Sequence, residues 1–170
     1  MTSATAQRTT VHVRVPTDDQ FDDADFMPAP ELSALYGQLI ADYPETHGHL
    51  HWVDVKVVWK KRGGKSQGKQ RLGFCAKTSG LAKYFAEAEF VIWLAADTVL
   101  ERELTDSQIR AAVSHEMRHI GWEVDDEGNG KAVIAGHDAE LFLSEVRELG
   151  AWESFISEAA DAFTQAGLLG

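Results

Sequence analysis

The pentapeptide His115-Glu116-Met117-Arg118-His119 reads H-E-x-x-H, and it commits one element of this chain to helix. On a helix the two histidines stand one turn apart and about 40° apart in projection, so both imidazoles share a face. Two imidazoles so placed can enter one tetrahedral zinc site. Glu116 lies beside the pair, where it can take a proton from a metal-bound water.

The flanking residues support a helix of this kind. Thr105 with Gln108 forms a capping-box pattern, and Asp106 puts negative charge in the first turn. Ile109, Val113, Met117 and Ile120 fall on one apolar stripe. His115 and His119 fall on a different face, beside the small residues Ala111 and Ala112. An ordinary surface helix would carry a charged face there.

Two histidines leave a metal site incomplete, so a further ligand is expected downstream. The pattern H-E-x-x-H-x-x-G-x-x-H would need Gly at 122 and His at 125; the chain has Trp122 and Asp125, which excludes a metzincin. The next candidates lie in Gly136-His137-Asp138-Ala139-Glu140-Leu141-Phe142, which opens a second helical pattern. His137 is the expected third ligand and Glu140, one turn on, its rival. Asp138 suits either the orientation of a ligand imidazole or plain helix capping.

Beyond the motif, the run Arg71-Leu72-Gly73-Phe74-Cys75-Ala76-Lys77-Thr78-Ser79-Gly80-Leu81-Ala82-Lys83-Tyr84 leads to Phe90-Val91-Ile92-Trp93-Leu94. Then come Asp106 to Ala112, the H-E-x-x-H motif, and His137-Asp138 with Glu140, Phe142, Val146, Gly150 and Trp152. Over about residues 30 to 155 this resembles the putative phage metallopeptidase family, whose members are similar to SprT-like zincins. The resemblance implies a zincin-like fold and hydrolase chemistry, with Zn2+ held by His115, His119 and His137 and Glu116 as general base. It implies no substrate.

At 170 residues the chain is long enough for one domain with a real core. No stretch approaches the ~20 apolar residues of a membrane span, and residues 1–7 lack the apolar segment of a signal peptide. The single cysteine, Cys75, excludes an internal disulfide and reads as a small buried hydrophobe rather than a nucleophile. A cytoplasmic location in a bacterial host is the expectation.

The net charge of -11 opposes general nucleic-acid binding, but it is unevenly spread. Residues 56 to 77 hold Lys56, Lys60, Lys61, Arg62, Lys65, Lys69, Arg71 and Lys77 with no acid; residues 18 to 25 hold five aspartates. These segments either lie against each other or are independently solvated.

Along the chain, residues 1–29 read as an acidic, partly disordered arm, with a short strand in Val11, Val13 and Val15, and residues 30–170 as one domain. Within that domain the pattern gives a helix over 31–43, then strands over 53–59 and 72–77 that form a hairpin across a mobile turn at 60–70. A short helix over 81–86 and a buried strand over 90–95 follow. After the motif helix come a loop containing 125–130, the helix from His137 and a last helix over 151–166. The expected fold is α+β and zincin-like: a small mixed or antiparallel sheet packed on the active-site helix, with further C-terminal helices. In zincins the strand before that helix borders the substrate cleft, so Phe90–Ala95 is expected to bind an extended peptide by strand addition.

His47, His49 and His51 read as solvated loop histidines rather than a second metal site, 125–130 as a solvated turn, and Trp122 and Trp152 as core packing. Arg118 and Tyr84 are candidates for stabilising an oxyanion. Two further function classes stand beside the zinc metallopeptidase. One is a DNA-associated protease whose Lys60–Arg71 segment touches nucleic acid; the other is a non-catalytic zinc-containing protein that binds a host factor.

Overall fold

The computed structural model describes residues 11–137 and 154–167, and its contacts divide the chain into the units Met1–Ala135 and Gly136–Gly170. The first unit opens with a 3-10 turn at Asp18–Phe21 and strand β1 at Phe26–Pro28. Pro30, with φ already set for a helix, starts α1 (Pro30–Asp42), which buries Leu32, Leu35, Leu39 and Ile40. Helix α2 (Pro44–His47) and a 3-10 turn at Gly48–Trp52 follow. Strand β2 (Val55–Lys60) runs into the small pair β3 (Lys65–Ser66) and β4 (Lys69–Gln70), then β5 (Gly73–Lys77). Helix α3 (Gly80–Ala86), strand β6 (Phe90–Ala95) and helix α4 (Ala96–Glu101) lead to α5 (Asp106–Arg118). A hairpin of β7 (Ile120–Val124) and β8 (Gly130–Ile134) closes this unit. In the second unit, helix α6 (Ser154–Gln165) buries Ile156 and exposes Phe163.

The central sheet has strand order β1-β2-β6-β5. β6 runs parallel to β2 and antiparallel to both β5 and, across β2, the direction of β1, so the sheet is mixed. Val57 and Trp59, Ile92 and Leu94, and Cys75 alternate onto one face, where α1, α4 and α5 pack. That face and those helices form one continuous core. The mixed α+β arrangement agrees with the sequence reading.

Several local expectations are corrected. Strands 53–59 and 72–77 do not form a hairpin, because β6 inserts between them and pairs with both. β6 is an almost wholly apolar run, and the centre of the sheet is where such a strand buries both faces. Residues 11–15 are not a strand: Val13 is buried, and its N–H donates to Asp106 Oδ1 at 3.1 Å instead of to a ladder. The acidic segment is not merely a loop, since Phe21 is buried and β1 pairs with β2. Its Asp18 meets Arg62 at 3.0 Å and Lys61 at 3.5 Å, so acidic and basic segments do lie together. Residues 60–70 carry the β3–β4 pair, and the 125–130 turn joins two strands that alternation alone did not reveal. Trp122 is 42 % exposed, lying over Gly130, and is not core packing. The helix expected from His137, with Asp138, Glu140 and Trp152, lies outside the described residues.

The histidine triplet is also corrected. His47 is fully buried, with Nε2 3.1 Å from Ser114 Oγ on α5, and His49 Nε2 donates to the Ile120 carbonyl at 2.6 Å. Only His51 is exposed. Burial, followed by the nearby Arg118 and His49, pushes His47 down to about 4. The folded state therefore holds this imidazole neutral, whereas the unfolded chain protonates it below ~6.5. Its contribution is complete above that pH and is lost as pH falls towards 4. Denaturant titrations should show roughly 2–3 kcal/mol less stability at pH 4.5 than at pH 7, and His47→Gln should lose that part of the pH dependence.

Candidate metal centre

The motif helix is anchored at its start. Thr105 Oγ1 accepts the N–H of Gln108 at 3.3 Å, and Gln108 Oε1 accepts the N–H of Thr105 at 2.9 Å, as the capping box requires. Asp106, in the first turn, also accepts from His12 at 2.8 Å, which ties the N-terminal segment to this helix. Hydrogen bonds from His12 and from the Val13 N–H hold the Asp106 carboxyl below its usual range. Ile109, Val113, Met117 and Ile120 are all buried, so the apolar stripe turns into the core as its spacing predicts.

The opposite constraint sets the histidine face outward. His115 is exposed and His119, capping the C-terminal end of α5, is partly buried. Their ring centroids lie 5.2 Å apart with planes at 80°. His119 Nδ1 donates to the Ala135 carbonyl at 2.8 Å, and the Ala135 N–H donates back to the His119 carbonyl at 2.8 Å. A ring whose Nδ1 carries the proton presents Nε2 as its ligand atom, so one backbone carbonyl fixes both tautomer and orientation. The β7–β8 hairpin thus returns the chain to the histidine it left. His137 follows two residues later, within the reach of so short a link. One nitrogen from each of His115, His119 and His137 falls within 4.8 Å of the others. Such a set of three imidazoles could bind a metal ion.

Glu116, between the two histidines on α5 and close enough to His119 to feel its charge, is 7 % exposed. It packs against β5 at Gly73, where an added Cβ would stand 2.7 Å from Glu116 Oε1 and 2.8 Å from Leu94 Cδ2. Glycine is needed at 73 because strand and carboxylate approach this closely. Burial pushes the Glu116 carboxyl up to about 7, and the charges of His119 and Arg71 pull it partly back. A carboxyl poised near neutrality can both accept and return a proton. Arg71 and Gly73 are the residues of this site that the motif alone could not single out; their signal was the Arg71-Leu72-Gly73 run.

A cavity of about 560 Å3 opens beside His115, lined by Leu39, Tyr43, Ser107, Arg110, Ala111, Ser114 and Arg118. This is the room that Ala111 and the serines leave on the histidine side of α5. Arg110 is held there by Asp42 and by Gln38. Of the two candidates for an oxyanion partner, Arg118 lines this cavity, while Tyr84 stands 75 % exposed on α3 against Phe85. Cys75 is free and buried, and burial raises its thiol to about 12, so it is no nucleophile. Among the described residues, no helix is long and apolar enough to cross a membrane.

The strand expected to receive substrate is corrected by the topology: both edges of β6 are already paired, to β2 and to β5. Strand addition needs an open edge.

No curated protein and no solved structure matches the chain. A family model described as putative phage metallopeptidase matches residues 24–160, a span that runs from the edge strand β1 through Glu116 and the three histidines. The chain therefore belongs to the putative phage metallopeptidase family, a family of peptidase hydrolases whose name implies a bound metal ion.

Proposed function

We propose that this protein is a zinc-dependent peptidase of phage or prophage type, with His115, His119 and His137 as metal ligands and Glu116 as general base. The observation that carries the reading is the convergence of three imidazole nitrogens within 4.8 Å beside a buried carboxylate. Three neutral imidazoles, one oriented by a backbone carbonyl, suit a catalytic zinc site that keeps one position open. Zinc in such a site lowers the pKa of water and polarises a carbonyl. Glu116 accepts the proton of the attacking water at its carboxylate and returns it to the leaving amine. His119, held through Nδ1 by Ala135, keeps its ligand nitrogen aimed without needing to reorganise. A purely structural metal site has no use for a buried base, which disfavours a non-catalytic role.

An extended substrate is better placed along β5 than along β6. β5 is an edge of the sheet, and its Gly73 backs directly onto Glu116. Backbone pairing there would hold a peptide beside the base without demanding particular side chains. A free, buried thiol at Cys75 is compatible with the cytoplasm of the bacterial host.

Casein digestion tests the reading. The purified protein should cleave casein or proteins of a host lysate, lose that activity to a chelator, and regain it on addition of zinc. Proteolysis that persists undiminished after exhaustive chelation would exclude a metal mechanism.

A further inference from the structure

Among the described residues, the helices cover one face of the four-stranded sheet; on the other face Trp93 and Ala95 of the central β6 are buried, while the edge strands β1 and β5 carry exposed rings. Along that second face the side chains form a row that crosses every strand: Phe26 on β1, Lys60 on β2, the buried Trp93 on β6 and Phe74 on β5, ending at Arg71. Lys60 Nζ stands 5.7 Å from the Phe26 ring centre and 4.5 Å from that of Trp93. The Trp93 and Phe74 rings lie 6.0 Å apart at 38°, and Arg71 Cζ lies 5.0 Å from the Phe74 ring. Aromatic and cationic groups are therefore interleaved over the width of the sheet, roughly 15 Å at the usual strand spacing. Phe26 is 47 % and Phe74 43 % exposed.

Period-two alternation explains how the row arises. Val57 and Trp59 point to the core, so Lys60 points away; Ile92 and Leu94 point to the core, so Trp93 points away. It does not explain why exposed positions carry phenylalanine. Nor does it explain the charge around them, since residues 56 to 77 contain eight cations and no acid. Asp18 answers Arg62 and Lys61, but among the described residues no carboxylate lies within ion-pair distance of Lys60, Lys65, Lys69 or Arg71.

We propose that this face binds single-stranded nucleic acid, with bases stacked on the exposed edge-strand rings Phe26 and Phe74 and phosphates on Lys60 and the β3–β4 pair that carries Lys65 and Lys69. Stacking rings supply contacts that any base can use, and the flanking cations follow the backbone. A duplex cannot use the rings, because its bases are already stacked on each other. An acidic polypeptide would satisfy the lysines but leave the two phenylalanines without a purpose. The net charge of -11 confines the attraction to this face and keeps it sensitive to salt.

Fluorescence anisotropy of a labelled oligo-dT strand with the full-length chain tests this directly. The strand should bind at low salt, more tightly than a duplex of the same length, and weaken as salt rises. The double variant Phe26→Ala/Phe74→Ala should bind about tenfold more weakly or less, with an unchanged melting temperature. Phe74→Tyr, which keeps a stacking ring, should bind as the wild type does. Lys60→Gln should weaken binding and flatten the salt dependence. The proposal is overturned by the absence of binding at low salt, by equal affinity for duplex and single strand with no effect of the double variant, or by polyglutamate competing as well as oligo-dU.

Discussion

Glu116→Gln should retain its metal and its fold and lose peptide hydrolysis by ~10²-fold or more. The substitution keeps the size of a side chain enclosed by Gly73 and Leu94, so it disturbs little packing. What it removes is a carboxyl poised near neutrality, the one group placed to take a proton and give it back. The amide also avoids the burial penalty on the carboxylate, which outweighs the attraction it loses to His119 and Arg71, so the folded state is not burdened by the change. Casein assays with elemental analysis on the same preparation separate the two effects. Hydrolysis equal to wild type would remove Glu116 from the chemistry.

Trp59→Ala should be the most destabilising of simple truncations, by about 3–5 kcal/mol. Trp59 is 1 % exposed on β2, facing the helices from the strand that joins the edge β1 to the central β6. Truncation removes a large apolar surface and leaves a cavity that two paired strands prevent from closing. The expected fall in melting temperature is roughly 10–20 °C. A fall of only a degree or two would mean that the core does not depend on this face of the sheet.

The motif helix was readable because several independent signals coincide on it. The capping box of Thr105 and Gln108, the stripe that begins at Ile109 and the histidine spacing all point to one helix, found at Asp106–Arg118 with His119 as its C-cap. Helix α1 and strand β6 were readable for the same reason: each has one dominant period or run. What the sequence could not reveal was pairing. Strands β2 and β5 both carry ordinary alternation, and nothing local shows that β6, thirteen residues after β5, will slide between them. β1 and the β7–β8 hairpin are short, with polar or glycine-rich flanks, and exist because a partner strand supplies their hydrogen bonds. The sequence alone does not show that His47 and His49 are held in the fold, because their partners, Ser114 and the Ile120 carbonyl, are about seventy residues away. At the site, ligand types were readable from spacing. The carbonyl of Ala135 that orients His119, and Gly73 that admits Glu116, depend on tertiary approach alone.

Metal content of the protein and of its single histidine variants is the most direct measurement of the proposed centre. After dialysis against metal-free buffer, elemental analysis of the wild type should give about one zinc per chain. His115→Ala, His119→Ala and His137→Ala should each lose most of it, and zinc added back should raise the wild type's melting temperature but not theirs. Wild-type protein that takes up no zinc, or a His137→Ala variant that holds it as tightly as the wild type, would contradict the three-histidine centre.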